Sequence, residues 1–314
     1  MTQIGKTAKA FAPASVANVA VGFDVLGFSA SAAGGDTVLV EILKEKTVII
    51  EPASGLDLKL PKDPKLNTAS AGLLQLIVDH KLNHGFRVSI QKGIPLGSGL
   101  GGSAASAVAA TFAASSLLEK PLAKEAMLKY ALIGETVASG SRHADNIAPS
   151  LYGGLTLSIV EENEITVVEL PVPQDLWCVV IHPHIMIETK FARGLLTPEI
   201  PFQRHISQSA HLAAFMSGLF QSDMALLAWG LKDIVVEPQR KHLIPGFEAI
   251  QKAALGAGAV GCSISGAGPS MFAWAEGQSR AIEIESQMKA AARFTPCSAW
   301  AFALKNDGAR LLAL

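Results

Sequence analysis

The stretch IPLGSGLGGSAAS, residues 94–106, decides how this chain is read. Gly97, Gly99, Gly101 and Gly102 open backbone conformations closed to other residues and remove the side chains that would keep an anion at a distance. Ser103, Ala104, Ala105, Val108 and Phe112 follow as the opening of a helix, whose first turn carries free N–H groups and a partial positive charge. A glycine loop feeding a helix N-terminus is a phosphate cradle, although the same composition also suits a tight turn before a small-residue packing helix. The order of the surroundings favours the cradle: a β-like run over residues 87–91, Pro95, the loop, Ser103, then the helix. No Gly-Lys-Ser/Thr follows and the spacing is not G-x-G-x-x-G, so the Walker loop and the dinucleotide fingerprint both lose ground.

At 314 residues the chain is long enough for two compact domains and a sizeable core. Hydrophobic residues make up 49% but aromatic ones only 6%, a balance that points to close packing of elements rather than membrane burial. A net charge of -1 leaves no basic surplus for nucleic acid or an anionic membrane. Cys178, Cys262 and Cys297 lie far apart with no C-x-x-C pairing, so neither a disulfide framework nor a zinc site is indicated, and a reducing cytoplasm is expected. Residues 101–118 are uncharged over about one membrane span, yet their Gly, Ala and Ser content reads as a buried soluble helix. The apolar run after Lys6 and Lys9 is interrupted by Asn18 and Asp24 and lacks a leucine-rich centre, so no secretion signal is expected.

Residues 8–33 are apolar apart from a few groups that include Asn18 and Asp24. A carboxylate there is costly unless a cation or hydrogen-bond donor meets it, or unless Asp24 is a turn residue after Gly22. Residues 38–42 and 47–50 read as a strand pair, and 67–82 as a helix. In the helix expected over 122–138, Leu128, Ala131, Leu132 and Glu135 fall at i, i+3, i+4 and i+7. Glu135 therefore either shares the inward face and wants a counter-charge, such as a metal ion, or turns to solvent at a frayed end. The polar island SGSRHADNIAPSLYGG, residues 139–154, crowds Ser141, Arg142, His143, Asp145 and Asn146 into one loop. His143 with Asp145 is either an acid/base pair or a polar loop contact. From Ile165 the pattern restarts, with strands at 167–170 and 177–181 and the join Pro171–Val172–Pro173 between them, which divides the chain into domains at 1–165 and 166–314. His182 and His184 lack a third ligand and read as structural. Arg193 and Arg240 stand outside any charge run, as surface residues or as the fork that holds a carboxylate. SGAGPSMFAW, residues 265–274, is a second phosphate-facing turn or a hairpin; a helix at 279–293 and a strand at 298–304 follow.

Taken together, the apolar N-terminal segment, the central loop and SGAGPS resemble, in order and over essentially the whole chain, the three motifs of the GHMP kinase superfamily. Within it, PASVANVAVGFDVLGFS, RHADNIAPSLYGG and EPQRKHLIPG are most similar to the homoserine kinase branch. Gly102 departs from the pattern, standing where the family usually shows the first serine of a pair; Ser103 is retained.

The resemblance implies a two-domain α+β fold, its N-terminal domain like ribosomal protein S5 domain 2 and its C-terminal domain ferredoxin-like, with the active site between. It implies ATP over Pro95, Leu96, Gly97, Ser98, Gly99, Leu100, Gly101, Gly102, Ser103, Ala104 and Ala105, with Asn67 and Lys92 as further nucleotide contacts. Magnesium would be held by Ser103 and Glu135. Asp24 would take the ammonium of L-homoserine and Arg193 and Arg240 its carboxylate, with Asn18, His143 and Asn146 lining the site and Asp145 the residue to test as a base. The implied reaction makes O-phospho-L-homoserine for threonine biosynthesis, in a cytoplasmic homodimer without nucleic acid or membrane. Mevalonate, shikimate or diphosphocytidyl-methylerythritol kinase activity, or a non-catalytic regulator on the same fold, remain the alternatives.

Overall fold

The alternation in GDTVLVEIL turns Asp36, Val38, Val40 and Ile42 to one buried side of a strand, β4 (Gly35–Leu43). In the computed structural model, which describes residues 3–56, 60–140, 142–161 and 164–314, this strand lies near the middle of the first sheet. Its companions are β1 (Thr7–Pro13), β5 (Val48–Ile50), β6 (Ser54–Gly55), β7 (Gly85–Lys92) and β14 (Arg310–Leu312), in the order β14-β1-β4-β7-β5, with β6 also on β7. The strand pair expected from residues 38–42 and 47–50 is not formed. β4 pairs antiparallel with β7, and β5 lies parallel on the far side of β7. The register explains it: Val38 faces Ile90, Val40 faces Val88 and Ile42 faces Phe86, all buried, and three such pairs outweigh a hairpin to a three-residue strand.

Helices α1 (Thr68–Asp79), α2 (Gly102–Leu117), α3 (Lys124–Ser139) and α4 (Ile147–Tyr152) pack on one another, with α2 against β1 and β4. The alanine- and serine-rich α2 is buried around nearly its whole circumference, as expected of a soluble packing helix. Among the described residues no helix is long and apolar enough to cross a membrane. A second sheet orders β2 (Ser15–Ala17), β3 (Leu26–Ser29), β8 (Leu155–Val160) and β9 (Ile165–Leu170). A third is antiparallel throughout, in the order β11-β12-β10-β13, from β10 (Leu176–Pro183), β11 (Gly261–Ile264), β12 (Met271–Glu276) and β13 (Cys297–Ala303). Its Val179 and Ile181 belong to a core with α9 (Phe247–Gly256) and α10 (Gln278–Ala291), while Cys178, Val180, Phe272 and Trp274 join the core of the first two sheets. Phe28 sits 5.7 Å from Phe272 and 5.8 Å from Trp274, so the N- and C-terminal parts share apolar packing. Four helices complete the chain: α5 (Thr189–Gly194), α6 (Phe202–Gln221), α7 (Met224–Gly230) and α8 (Glu237–Arg240).

His182 and His184 close β10. His182 is 4% exposed with Nδ1 3.1 Å from Ser270 Oγ, and His184 Nε2 lies 2.9 Å from Ser298 Oγ. Burial, then the neighbouring His184, pushes the His182 pKa down to about 4. Above pH 6.5 the ring is neutral folded or unfolded, and it affects nothing. Between pH 6.5 and 4 the unfolded chain takes up a proton that the folded chain refuses, so stability falls as pH drops, by about 3 kcal/mol at pH 4. His182→Gln, which can keep a hydrogen bond to Ser270, is expected to lose less stability than wild type between urea melts at pH 7 and pH 4.5. Equal losses in the two proteins would contradict this.

Candidate active site

The glycine loop reaches its shape because another loop is pressed into it. Gly99 has φ +76°, and a Cβ there would stand 2.6 Å from Ser265 O and 2.7 Å from Gly268 O. Ser265 Oγ donates to Gly99 O at 2.6 Å, and Ser270 Oγ donates to Ser98 O at 2.6 Å. SGAGPS is thus the hairpin connection between β11 and β12, docked as a buttress on the first loop. Gly101, at φ +65°, precedes α2; a Cβ there would stand 2.1 Å from Ser15 Oγ and 2.7 Å from Asn146 Oδ1. Pro95, Leu96, Gly97, Ser98, Gly99, Gly101, Gly102 and Ser103 line a cleft of about 380 Å³. Leu100, Ala104 and Ala105 are buried behind it and do not line it.

Across the cleft the chain enters a conformation that no composition announces. Asn18, Val19 and Ala20 have φ of 72°, 45° and 58°, and Asp24 has 63°, all in the left-handed region that non-glycine residues avoid. Burial of Val19 and the bonds around Asn18 hold this run: Asn18 N donates to Leu26 O at 2.7 Å, and Asn18 Nδ2 donates to Gly266 O at 3.0 Å. Asn18 Oδ1 accepts from Asp24 N at 3.1 Å, which places both side chains at the cleft.

Asp24 has the cationic partner that its apolar setting called for. Arg193, on α5, grips it with Nη1–Oδ2 at 2.8 Å and Nη2–Oδ1 at 2.7 Å, and this pairing raises the arginine's pKa. Neither arginine is a surface residue: Arg193 is half-buried and Arg240 is 2% exposed. Arg240 is presented by α8, and Asp233 holds the turn that leads into this helix by accepting from Val235 N, Val236 N and Glu237 N. Its Nε donates to Ala192 O at 3.1 Å. Burial, then Arg193, lowers its pKa to about 10, which leaves it cationic at neutral pH. Both guanidinium groups stand 5.2 Å from the centre of the Phe23 ring.

In the polar island, His143 Nδ1 lies 3.1 Å from Asp145 Oδ1, and both residues are buried. Burial pulls the His143 pKa down, but Asp145 beside it, with Asp24, outweighs this and the net shift is upward. Ser15 Oγ donates to Asn146 Oδ1 at 2.8 Å, tying the head of α4 to β2. Ser141 lies outside the described residues. Asp24, His143 and Asp145 bring one atom each within 4.8 Å of one another on this wall of the cleft.

Glu135 faces inward beside the buried Leu128, Ala131 and Leu132, and it is 6% exposed. Burial pushes its carboxyl up to about 7, against the hydrogen bond to Ser103, which favours ionisation. A hydroxyl and a buried carboxylate in contact make an oxygen donor set of the kind a hard divalent cation takes.

Asn18, Asp24, His143, Asp145, Asn146, Arg193 and Arg240 all line this cleft. Asn67 and Lys92 do not. Asn67 Oδ1 accepts from Ala69 N at 3.0 Å and caps α1, while its Nδ2 donates to Pro61 O at 2.8 Å. Lys92 is buried beneath the loop. A Cβ on Gly102 would meet the buried Ile94 Cγ2 at 3.1 Å and Lys92 Nζ at 3.4 Å. Phe23 and the segment Met186, Ile187, Glu188, Thr189 and Lys190 also line the cleft and were not singled out from sequence. Phe23 lies within the apolar N-terminal segment, and residues 186–190 run from the end of β10 into α5 and carry no motif. Ile187 N donates to Gly97 O at 3.0 Å and fastens this segment to the loop.

Residues 67–154 match the model of the GHMP kinases N terminal domain, and residues 212–293 that of the GHMP kinases C terminal domain. The chain is 47% identical over 309 residues to a homoserine kinase of Xylella fastidiosa (strain M12), covering 97% of this chain and 94% of that one. It is 43% identical over 310 residues to the homoserine kinase of Xanthomonas campestris pv. campestris (strain B100), covering 98% and 95%. The crystal structure of homoserine kinase from Cytophaga hutchinsonii superposes with a TM-score of 0.93 at 40% identity, over 99% of both chains. Mevalonate kinase of L. major, in complex with R-mevalonate, shares the fold at a TM-score of 0.69 and 19% identity, over 98% and 100%.

Proposed function

The chain belongs to the GHMP kinases, with their two-domain mixed α/β fold and ATP-dependent phosphorylation of a small molecule, and from that premise we propose that its acceptor is L-homoserine. One observation carries the choice: a carboxylate, Asp24, and two guanidinium groups, Arg193 and Arg240, share one wall of the cleft that the glycine loop lines. An acceptor bearing both an ammonium and a carboxylate answers that pattern, with Asp24 for the first and the arginines for the second. Mevalonate has no ammonium to set against Asp24, and would use only the guanidinium side of that pattern.

In this reading the amides of residues 97–103 and the start of α2 receive the phosphates. Ser103 and Glu135 would hold magnesium, and the support is a buried carboxyl whose charge, costly enough that burial pushes it up to about 7, a cation would offset. When bound, that ion neutralises charge on the transferring phosphates. Asn18, His143 and Asn146 orient the acceptor hydroxyl. Asp145 already faces His143, which supports a role in holding the loop rather than as base. Phosphoryl transfer has a loose transition state, so positioned amides and charges, including Arg193, supply most of the rate. Residues 1–165 and 166–314 act as the two halves that meet over the substrates. A cytoplasmic homodimer serving threonine biosynthesis, without nucleic acid or membrane, completes the proposal, and the net charge of -1 supports its last part.

ADP release measured with L-homoserine, mevalonate and shikimate tests it. Turnover is expected with L-homoserine and not with the other two. Turnover on mevalonate alone removes the homoserine reading, and nucleotide binding without turnover on any alcohol favours a regulator.

A further inference from the structure

Lys92 is too deeply buried to meet a ligand in the cleft: its side chain is 1% exposed and that of Asp36, its partner, 0%. The Lys92 ammonium is bonded to Asp36 Oδ2, donates to Gly102 O at 2.8 Å, and lies 3.1 Å from Ser106 Oγ. Ser106 Oγ donates to Asp36 Oδ2 at 2.6 Å. The other oxygen, Asp36 Oδ1, accepts from Gly93 N at 3.0 Å and from Ile94 N at 3.3 Å. Three elements converge here: Asp36 from β4, Lys92 from the end of β7, and Gly102 and Ser106 from the first turns of α2. The cluster therefore grips the chain where it leaves the sheet, at residues 93–94, and where it enters the helix, at Gly102. Everything between those two points is the glycine loop.

We propose that Lys92, Asp36 and Ser106 are positioning residues for nucleotide binding: a buried clamp on both ends of the glycine loop that keeps its amides aimed into the cleft. The inference rests on the kinase reading for what the loop holds. A loop with four glycines resists no deformation by itself, so its two anchors decide its shape. The ion pair is the means of anchoring, because a buried charge pair tolerates only one arrangement of its hydrogen-bonding partners.

The test is calorimetric affinity for a non-hydrolysable ATP analogue, with acceptor KM and Tm measured beside it. Ser106→Ala removes one strut and leaves the ion pair; it is expected to weaken nucleotide binding about threefold to tenfold while acceptor KM stays within about twofold. Asp36→Asn turns an amide NH2 toward the Lys92 ammonium and is expected to cost more, about tenfold to a hundredfold. Lys92→Met in the Asp36→Asn background removes that donor-to-donor conflict and is expected to recover part of the loss. Were Lys92 instead a direct nucleotide contact, Lys92→Met alone would weaken binding and Ser106→Ala would not. Folded Ser106→Ala protein with wild-type nucleotide affinity, or equal losses in nucleotide and acceptor affinity, overturns the clamp. A wild-type protein that binds the analogue but phosphorylates no homoserine removes only the acceptor assignment, because the clamp is read from analogue affinity. A wild-type protein that binds no nucleotide removes both.

Discussion

Glu135→Gln lowers turnover by about two to three orders of magnitude at saturating ATP and L-homoserine, with the fold intact. The amide is nearly isosteric, and its carbonyl oxygen can still accept from Ser103. What disappears is the negative charge, and with it the firmest ligand for the proposed cation. Stability moves the other way or not at all. The wild-type carboxyl is 6% exposed and burial pushes it up to about 7, so the metal-free protein holds that charge at a cost. In EDTA at pH 8 the Gln variant is therefore expected to melt no lower than wild type, which separates a catalytic role from a packing one. Steady-state rates and melting curves check both halves. A variant that keeps its turnover within tenfold, or that loses turnover only because it unfolds, sinks the metal assignment.

Arg240→Met raises the KM for L-homoserine by about thirtyfold or more and leaves that for ATP near wild type. Removing one member of a buried, hydrogen-bonded charge interaction costs about 2–5 kcal/mol, and every tenfold in affinity is about 1.4 kcal/mol. Arg240 is the arginine whose fork is not already spent on a side-chain carboxylate: it is bonded to the carbonyls of Ala192 and Gly266, whereas Arg193 is engaged by Asp24. Arg240→Lys is expected to recover little, because an ammonium cannot present the planar pair of donors or stand over Phe23 in the same way. Substrate titrations at fixed ATP decide it; equal rises in both KM values would point to general disorder of the cleft. The Asp24–Arg193 pair sharpens the argument. Asp24 and Arg193 satisfy each other, so an acceptor that brings both charges replaces one ion pair with two new ones. An acceptor with a carboxylate alone would bind through Arg240 beside the intact pair, or break the pair and strand Asp24.

Much of this was open to sequence reading because it depends on neighbours close along the chain. Leu128, Ala131, Leu132 and Glu135 obey the helical period, so an inward Glu135 was one of two readings that counting residues offered, and its 6% exposure chose it. The glycine loop before α2 is legible for the same reason, since backbone freedom and a helix start are local properties. The need of Asp24 for a partner was legible too; the identity of the partner was not, because Arg193 lies 169 residues away. Strand order failed in the same manner. Residues 38–42 and 47–50 looked like a hairpin by proximity, and β7 took β4 instead because it matched it face for face along its length.

The amino-acid sequence alone determined the glycine loop ahead of a helix, the helical register that Glu135 shares with Leu128, Ala131 and Leu132, several of the strands and helices, and through its motifs the kinase family. Tertiary structure alone decided that SGAGPS props the loop from behind, that residues 18–20 run left-handed to aim Asn18 and Asp24, and that the Lys92 ammonium is buried against Asp36. The division has one physical cause. Helical period, turn chemistry and backbone freedom act over a few residues, whereas the partner of a buried charge or carbonyl is whichever group the packed core brings to it from anywhere in the chain.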